Sequence, residues 1–410
     1  MSTPQGPFDI IVIGAGPSGA VASALLNKQG YNVLVVEKEH FPRFSIGESL
    51  LPQCMAYLEQ AGMLNAVEQA GFQHKNGAAF ARGDQYSFFD FREKFSEGWG
   101  TTFQVQRDRF DKILADEAEK QGVTICYGHM VTAFESEQDQ VHLSVETDRG
   151  ENYDISAKFV LDASGFGRVL PRLLDLNLPS ELAVRTSFFT HVEDNIIDDR
   201  HDREKILATV HPGHRDVWYW LIPFSNGRSS IGAVVPEDFF SGDSRSRESK
   251  LKGLVAESGL MNEVLKNAKF DTGVLETGGY SCKVKQLYGD GFALLGNAGE
   301  FLDPVFSSGV TIALKSASLA AAAVDKQLSG LQPDWDAEYA KPLMVGVDTF
   351  REFVAGWYDE RFQDIVFSDI QNDNVASMIS SILAGYAWDQ KNPYVDKPSR
   401  LNTLAEICRG

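Results

Sequence analysis

A glycine-rich turn between two apolar runs constrains the fold more than any other feature of this 410-residue sequence. Residues 8–13 are apolar and lead into Gly14-Ala15-Gly16-Pro17-Ser18-Gly19, after which a helical stretch continues to residue 30 and a second apolar run covers 32–37. A strand, a glycine turn, a helix and a strand within about thirty residues form a βαβ unit, and such units build parallel, doubly wound sheets. The sequence therefore predicts an α/β fold.

Later segments extend this layer and insert other structure between its parts. Residues 158–161 and 292–295 are typical of buried strands, and an alanine-rich helix is expected over about 307–328. Alternating patterns at 141–147, 182–192, 217–222 and 229–235 indicate an antiparallel sheet. We expect a discontinuous nucleotide-binding domain (1–75 with 100–180 and 285–330), a second, mostly antiparallel β-sheet substrate domain (76–99 with 181–284), and a helical C-terminal region (331–410).

Composition excludes several classes of partner and site. The formal net charge of −19 repels phosphate backbones and anionic lipid, so we expect no nucleic acid partner. The four cysteines lie far apart with no C-x-x-C pair, which predicts neither a metal site nor a disulfide framework and is typical of the reducing cytoplasm. The N-terminal segment lacks a basic region and the next apolar run is broken by glycines, so neither a signal peptide nor a membrane span is predicted.

The glycine turn has the G-x-G-x-x-G spacing of a dinucleotide site. Its glycines permit a tight turn and the close approach of a pyrophosphate to the positive end of the following helix. Glu37 ends the second apolar run, where a carboxylate can accept both ribose hydroxyls. An acidic residue there argues against a 2′-phosphate and leaves FAD or NAD.

Turns further along the chain favour FAD. Arg107 opens a predicted helix, Asp162 and Gly165 follow a strand, and Asn297 and Gly309 lie at later turns. At such strand ends and helix starts, backbone N–H groups can face an anionic or electron-rich ring. An NAD site does not require turns from so many separate segments of the chain.

Three further segments carry a family resemblance. They are G-E-S-L-L-P at 47–52, F-Q-H-K-N-G-A at 72–78 and W-Y-W-L-I-P at 218–223. Together they resemble the FAD-dependent aromatic-hydroxylase and geranylgeranyl-reductase group, and most closely its flavin-dependent halogenases. The first is similar to the family's segment beside the isoalloxazine, the second to the segment with the catalytic lysine of phenol and pyrrole halogenases, and the third to the signature that separates halogenases from monooxygenases.

This resemblance, with the glycine turn, implies a set of site residues. The expected catalytic residues are Lys75, Trp218 and Trp220, and the halide is expected at Ser308 and Gly309. No metal site is implied. The residues expected to bind FAD are Gly14, Gly16, Ser18, Gly19, Glu37, Lys38, Arg43, Gly47, Glu48, Ser49, Arg107, Asp162, Gly165, Asn297, Asp303 and Gly309.

Two departures from the family pattern narrow the expected substrate. Many relatives have Gly-Asp-Ala where this chain has Gly296-Asn297-Ala298, so a neutral amide would contact the flavin. Tryptophan halogenases have a glutamate where this chain has Phe306. The resemblance therefore implies a phenol-like or pyrrole-like ring, often tethered to a carrier protein in the relatives, rather than free tryptophan.

In the chemistry implied by the family, a separate reductase supplies reduced FAD, which with O₂ oxidises chloride or bromide to hypohalous acid. Lys75 would hold this species as a hydrogen-bonded acid or as a haloamine; alternatively, it is a surface lysine that begins a strand. Trp218 and Trp220 lie two apart on a strand and so face the same side, either as a wall between substrate and flavin or as core packing.

Several alternatives stay open at this point. The same scaffold also serves monooxygenases, reductases and dehydrogenases, and Asn297 hints at a flavin-binding protein without turnover. An aromatic stripe with helical spacing is typical of core packing more than of a substrate cage; it consists of Phe350, Phe353, Trp357 and Phe362. A basic cluster is typical of a solvated helix face more than of a carrier-docking surface; it consists of Arg245, Arg247, Lys250 and Lys252.

Overall fold

The computed structural model describes residues 4, 6–137, 140–368 and 372–409. Its strands, in chain order, are β1 (Ile10–Ile13), β2 (Val33–Glu37), β3 (Gln73–Lys75), β4 (Gly77–Arg82), β5 (Gln85–Asp90), β6 (Thr102–Gln104), β7 (Thr124–Tyr127), β8 (His129–Glu137), β9 (Gln140–Thr147), β10 (Asn152–Ala157), β11 (Phe159–Asp162), β12 (Asn177–Leu178), β13 (Arg185–Glu193), β14 (Lys205–Val210), β15 (Trp218–Pro223), β16 (Arg228–Pro236), β17 (Leu275–Gly278), β18 (Lys283–Val284), β19 (Tyr288–Gly289) and β20 (Phe292–Leu294).

Helices connect and cover these strands. They are α1 (Pro17–Lys28), α2 (Gln53–Ala61), α3 (Leu64–Gln69), α4 (Arg107–Lys120), α5 (Val169–Leu173), α6 (Arg247–Glu257), α7 (Leu260–Val264), α8 (Ser308–Leu328), α9 (Lys341–Tyr358), α10 (Arg361–Val366), α11 (Asp373–Leu383), α12 (Pro393–Asp396) and α13 (Arg400–Arg409), with a π-helical turn at Asp336–Ala340. No described helix is long and apolar enough to cross a membrane.

A six-stranded sheet with the order β19-β20-β11-β1-β2-β7 confirms the predicted doubly wound layer. All neighbours pair in parallel except β19 and β20. β1, β2 and β11 are completely buried. α1, packed against α4 and α8, covers β1 and β2, and the three-stranded sheet β10-β9-β8 contacts all three strands. The sheet's buried strands explain the near-continuous apolar runs in the sequence.

One predicted strand belongs to a different sheet than expected. The segment at 141–147 forms β9, but β9 pairs with its sequence neighbours β8 and β10 and not with the large antiparallel sheet. Short connections on both sides favour pairing between consecutive strands, and this local preference decides the location of β9.

The second large sheet has seven strands in the order β17-β13-β16-β15-β14-β4-β5 and is antiparallel except for the pair β4 and β14. β14 and β15 are buried on both faces. Alternate residues of β15 enter two different cores: Trp218 and Trp220 join the main core, while Tyr219 and Leu221 join a smaller core with α6 and α7. This arrangement places two tryptophans together on the face toward the nucleotide-binding layer.

The C-terminal helices complete the main core. Phe350, Phe353 and Trp357 on α9 and Phe362 on α10 are fully buried, so the core interpretation of this aromatic stripe is correct. The rings of Phe353, Trp357 and Phe362 pack edge-on around Phe306, which precedes α8, while Phe350 packs against Trp388. The boundaries of the three predicted domains stay a prediction.

Candidate active site

A cleft of about 460 Å³ lies at the carboxyl ends of β1 and β2, where α1 begins. Gly14 has a φ of +98°, and a Cβ there would lie 2.7 Å from the carbonyl oxygen of Ala163. A Cβ at Gly19 would overlap the Gly14 carbonyl, whereas one at Gly16 would meet only Arg43, at 3.4 Å. The turn is therefore compact and leaves the backbone open to the cleft, as a pyrophosphate at the start of α1 requires.

Glu37 lines the cleft at the end of β2 and is almost fully buried. One carboxylate oxygen accepts the N–H of Ala15 at 2.8 Å, and the other accepts the N–H of Glu39 at 2.9 Å. Because a carboxylate has about four acceptor positions, this arrangement holds the side chain in place and leaves capacity for two hydroxyls.

Two arginines give part of the cleft a positive lining. Arg107 donates two hydrogen bonds to Asp111, at 2.7 and 2.9 Å, and Arg43 lies 3.1 Å from the same carboxylate. Arg107 also donates to the carbonyl of Ile46 at 2.7 Å. The buried Asp111 therefore fixes both guanidinium groups beside the 43–49 segment.

Trp218 and Trp220 both line the cleft, and their ring centroids lie 5.9 Å apart. The indole N–H of Trp220 donates to Ser230 at 3.1 Å, while that of Trp218 donates to the hydroxyl of Tyr358 at 3.0 Å. The prediction that the two rings face one side is confirmed. The rings take part in the core and in the cleft wall at once, so the two interpretations of the sequence do not exclude each other.

Asp303 lies behind the tryptophan wall and not in the cleft. Its carboxylate accepts the Tyr358 hydroxyl at 2.8 Å and the N–H of Val305 at 3.0 Å. Complete burial raises the pKa of Asp303 to about 6. A hydrogen-bonded chain thus runs from Trp218 through Tyr358 to Asp303.

Glu48 lines the cleft and forms a pair that the sequence did not suggest. The side chain is 1% exposed, and Oε1 lies 2.6 Å from Nε2 of His191 on β13. Oε2 is buried and has no hydrogen-bond partner among the described residues. Burial by itself would lower the pKa of His191, but the hydrogen bond and charge of Glu48 outweigh it, and the pKa is raised.

Lys75 is fully buried at the end of β3, so the surface interpretation of this lysine is wrong. Its ammonium nitrogen donates to Ser49 Oγ and to the Leu50 carbonyl, each at 2.8 Å, and lies 5.4 Å from the centre of the Phe91 ring. No carboxylate pairs with it among the described residues. Burial therefore lowers the pKa of Lys75 to about 7.

A second cavity, of about 20 Å³, lies beside Lys75 and has mostly apolar walls. Its volume is sufficient for about one water molecule. Ser307 and Ile206 line both this cavity and the cleft, and Ser49 lines the cleft while it accepts from Lys75. The lysine is therefore separated from the cleft by a layer one side chain thick.

Most residues expected to bind FAD line the cleft: Gly14, Gly16, Ser18, Glu37, Lys38, Arg43, Gly47, Glu48, Ser49, Arg107, Gly165, Asn297 and Gly309. Gly19, Asp162, Asp303 and Ser308 are not among the lining residues. Gly19 packs α1 against the turn, and the buried Asp162 accepts the N–H groups of Ser164 and Leu170 at 2.9 and 2.7 Å. These residues shape the loops around the cleft.

The sequence interpretation did not include His191, Tyr358 or Asp111 among the site residues. His191 is one of eight histidines, and Tyr358 ends a helix whose apolar stripe indicates only packing. Asp111 alone had a local signal, because it lies one helical turn after Arg107.

The basic cluster of Arg245, Arg247, Lys250 and Lys252 is largely neutralised by neighbouring acids. Arg245 pairs with Asp243, and Arg247 pairs with Glu276 at 2.7 Å. Lys252 pairs with Glu248, and Lys250 lies over the Phe240 ring. This arrangement is that of a solvated helix face.

Comparisons with known proteins agree with an FAD-binding site in this cleft. Residues 7–249 match the family model described as an FAD-binding domain. A flavoprotein/dehydrogenase from Cytophaga hutchinsonii is 43% identical, with 98% of each chain covered and a TM-score of 0.94. A tryptophan 2-halogenase from Chondromyces crocatus is 32% identical, and the alignment covers 78% of this chain and 62% of that enzyme. A 1H-pyrrole-2-carbonyl-[peptidyl-carrier protein] chlorinase from Pseudomonas fluorescens is 27% identical, and the alignment covers 94% of this chain and 90% of that enzyme.

The cleft fits FAD because the glycine turn leaves room for a pyrophosphate, while Glu37 presents a carboxylate suited to ribose hydroxyls and the two arginines present groups suited to an anion. The family match covers more than half of the chain. The chain therefore belongs to the FAD-binding domain family, and flavin-dependent halogenases are among its relatives.

Proposed function

We propose that this protein is an FAD-dependent halogenase that uses reduced FAD, O₂ and chloride or bromide to halogenate an electron-rich aromatic substrate. The observation that carries the proposal is Lys75, a fully buried lysine with a pKa near 7 beside the wall of the FAD cleft. A buried lysine without a carboxylate partner is costly to keep, so its presence needs a chemical reason.

In this proposal the residues that bind FAD line the cleft, and the lysine that receives the halogen lines the small cavity beside it. Glu37, the Gly14 turn and the arginines Arg43 and Arg107 hold FAD, and bound reduced FAD supplies the electrons that activate O₂ for halide oxidation. The backbone N–H groups of Ser308 and Gly309, in the first turn of α8, have no intrahelical acceptors and offer a site for the halide.

Lys75 receives the oxidised halogen. As a protonated amine, it donates a hydrogen bond to hypohalous acid; as a neutral amine, it attacks the halogen, so that an N–X bond forms, the X–O bond breaks and water leaves. With a pKa of about 7, both forms are populated at neutral pH. The cavity beside it has about the volume of one water molecule, so entry of hypohalous acid or of an aromatic ring requires displacement of wall side chains such as Phe306 or Leu383.

The proposed substrate is a phenol-like or pyrrole-like ring. Phe306 replaces an acidic residue that the resemblance associates with free tryptophan, and the walls of the small cavity are apolar. The Pseudomonas fluorescens relative acts on a carrier-tethered pyrrole, which supports a carrier-bound substrate here. We also propose that a separate flavin reductase supplies reduced FAD in the cytoplasm.

The proposal is tested by incubation with reduced FAD, O₂, bromide and an activated phenol, followed by mass spectrometry. We expect a brominated product from the unaltered protein and, from Lys75→Met, continued O₂ consumption with product reduced on the order of 100-fold. Lys397→Met, at an exposed lysine in the C-terminal helical region, is the matched control. Hydroxylated product formed without halide by both proteins would refute the proposal.

A flavin-dependent dehydrogenase is the second candidate. It is favoured by the 43% identity to the Cytophaga hutchinsonii flavoprotein/dehydrogenase and by the small volume beside Lys75. The two candidates differ in their electron flow, since a dehydrogenase reduces its own bound FAD with an organic substrate or NAD(P)H. Anaerobic stoichiometric bleaching of the bound flavin by NADPH alone would favour this candidate.

A further inference from the structure

Glu48 is expected to bind FAD, but its buried pairing with His191 has no role in the function proposed so far. Glu48 follows Gly47 in the segment that lines the cleft, whereas His191 lies on β13 of the other large sheet. The two residues are 143 positions apart in the sequence, and a 2.6 Å hydrogen bond joins them. Taking a carboxylate out of water is costly unless all its acceptor capacity is used, yet Oε2 of Glu48 is buried without a partner among the described residues.

The two ends of this pair face different surroundings. The Glu48 side chain is 1% exposed and lines the cleft, whereas His191 is 24% exposed between the rings of Phe44 and Phe224. No described residue forms a hydrogen bond with Nδ1 of His191, which leaves this nitrogen free to exchange protons with water. The pair therefore connects solvent to the interior of the cleft through one histidine and one carboxylate.

The proposed reaction consumes a proton. Reduced FAD, O₂, halide and one proton give FAD, hypohalous acid and water; two electrons come from the flavin and two from the halide, and both oxygen atoms of O₂ are accounted for. Wasteful oxidation of reduced FAD by O₂ to hydrogen peroxide consumes no proton, and neither does hydroxylation of an aromatic ring. Halide oxidation thus needs a proton that the competing reactions do not.

We propose that His191 and Glu48 form a proton-transfer pair that delivers this proton from solvent to the cleft during halide oxidation. Solvent protonates Nδ1 of the neutral His191, and the Nε2 proton passes to Oε1 of Glu48. Rotation of the carboxyl group then exchanges the positions of its two oxygens, and the protonated oxygen releases its proton inside the cleft. The inference rests on the proposed halogenase function.

The surroundings of His191 suit this role. Besides Glu48, the charged groups that act on the imidazole are Asp108 on α4, which favours its protonated form, and Arg228 on β16, which opposes it. Arg228 is itself paired with Asp271 at 2.7 Å, which moderates its effect. The raised pKa keeps a protonated fraction of His191 available near neutral pH.

The test compares Glu48→Gln and His191→Ala with the unaltered protein under saturating reduced FAD, bromide and an activated phenol. We expect both changes to lower brominated product on the order of 100-fold while O₂ consumption continues and hydrogen peroxide replaces the product. Proton uptake, followed with an indicator dye in weak buffer, should fall from one proton per O₂ consumed in proportion to the loss of brominated product. Glu257→Gln is the matched control, because it removes the carboxylate from another histidine–glutamate pair, with His211, outside the cleft.

Two further measurements distinguish proton transfer from a structural role. Added imidazole should restore product formation by His191→Ala in proportion to its concentration, and should not affect Glu48→Gln. In the FAD-free protein, NMR titration of His191 should give a lower midpoint in Glu48→Gln than in the unaltered protein, because the hydrogen bond to the carboxylate and its charge are lost.

The possible results separate the inference from the function on which it rests. If the unaltered protein forms no brominated product, the halogenase proposal fails and the inference falls with it. If the unaltered protein forms product and Glu48→Gln forms it at the same rate and proton stoichiometry, the halogenase proposal stands and the proton-transfer pair is overturned. Failure of imidazole to rescue His191→Ala would also overturn it.

Discussion

The burial of Lys75 predicts a measurable effect on stability as well as on chemistry. The folded protein holds this lysine with a pKa of about 7, against an ordinary value of 10.5 in the unfolded chain. The unfolded chain therefore binds the proton more tightly, so the free energy of unfolding rises as the pH increases from about 7 to 10.5. Below pH 7 the whole cost of burying the charged form is present.

The size of this effect follows from the two pKa values. The lysine destabilises the fold by about 4 kcal/mol at pH 7 and by about 1 kcal/mol at pH 9.5. Lys75→Met removes the cost and keeps much of the side-chain volume, but it leaves Ser49 Oγ and the Leu50 carbonyl without their donor, at about 1 to 3 kcal/mol. We expect the variant to be more stable by about 1 to 3 kcal/mol at pH 7, with its advantage about 3 kcal/mol smaller at pH 9.5.

Urea denaturation of the FAD-free proteins at both pH values measures this difference. Because other titrating groups affect both proteins equally, the double difference isolates the contribution of Lys75. Lys397→Met, at an exposed position, should leave the pH dependence unchanged. If the double difference for Lys75→Met is below about 1 kcal/mol, the argument that burial governs this amine is refuted.

Three further results are expected. Glu37→Ala should weaken FAD binding by about 10- to 100-fold, because a charge-assisted acceptor for buried hydroxyls costs about 1.5 to 3 kcal/mol to remove; equilibrium dialysis that shows undiminished affinity would contradict this. Tyr358→Phe should lower the free energy of unfolding by about 1 to 3 kcal/mol, since it leaves the Trp218 indole N–H and the Asp303 carboxylate without their shared partner; an unchanged urea midpoint would oppose this. Charge reversal at Arg247 should change turnover of a carrier-tethered substrate little, because Glu276 already pairs with this residue; a large, salt-sensitive loss would revive carrier docking there.

The parts of the fold that depend on local patterns were predicted closely. β1, α1 and β2 begin and end within three residues of the expected bounds, and α8 covers nearly the whole predicted alanine-rich helix. Apolar periodicity and the glycine turn determine these elements over short stretches of chain. The parallel order of the sheet follows from the βαβ connection, which has few alternatives.

The parts of the site that depend on long-range packing could not be predicted from the sequence. β3 has only three residues, too few for an alternating pattern, and the burial of Lys75 results from its contacts with Ser49 and Leu50, more than twenty positions earlier. Likewise, nothing near His191 in the sequence indicates that it meets Glu48. The resemblance to halogenases identified Lys75 as a candidate, whereas its burial and its hydrogen bonds to Ser49 and Leu50 depend on the three-dimensional fold.

The hydrogen-bonded chain from Trp218 through Tyr358 to Asp303 has a consequence for protein engineering. Its three members come from β15, from the last turn of α9 and from the segment before α8, and the FAD-binding domain match ends at residue 249, before two of them. Transplanting the matched portion alone into another protein would leave the cleft wall without its anchor. A chimera that aims to exchange substrate range through the C-terminal helices should therefore keep Tyr358 and Asp303 together with the tryptophan they hold.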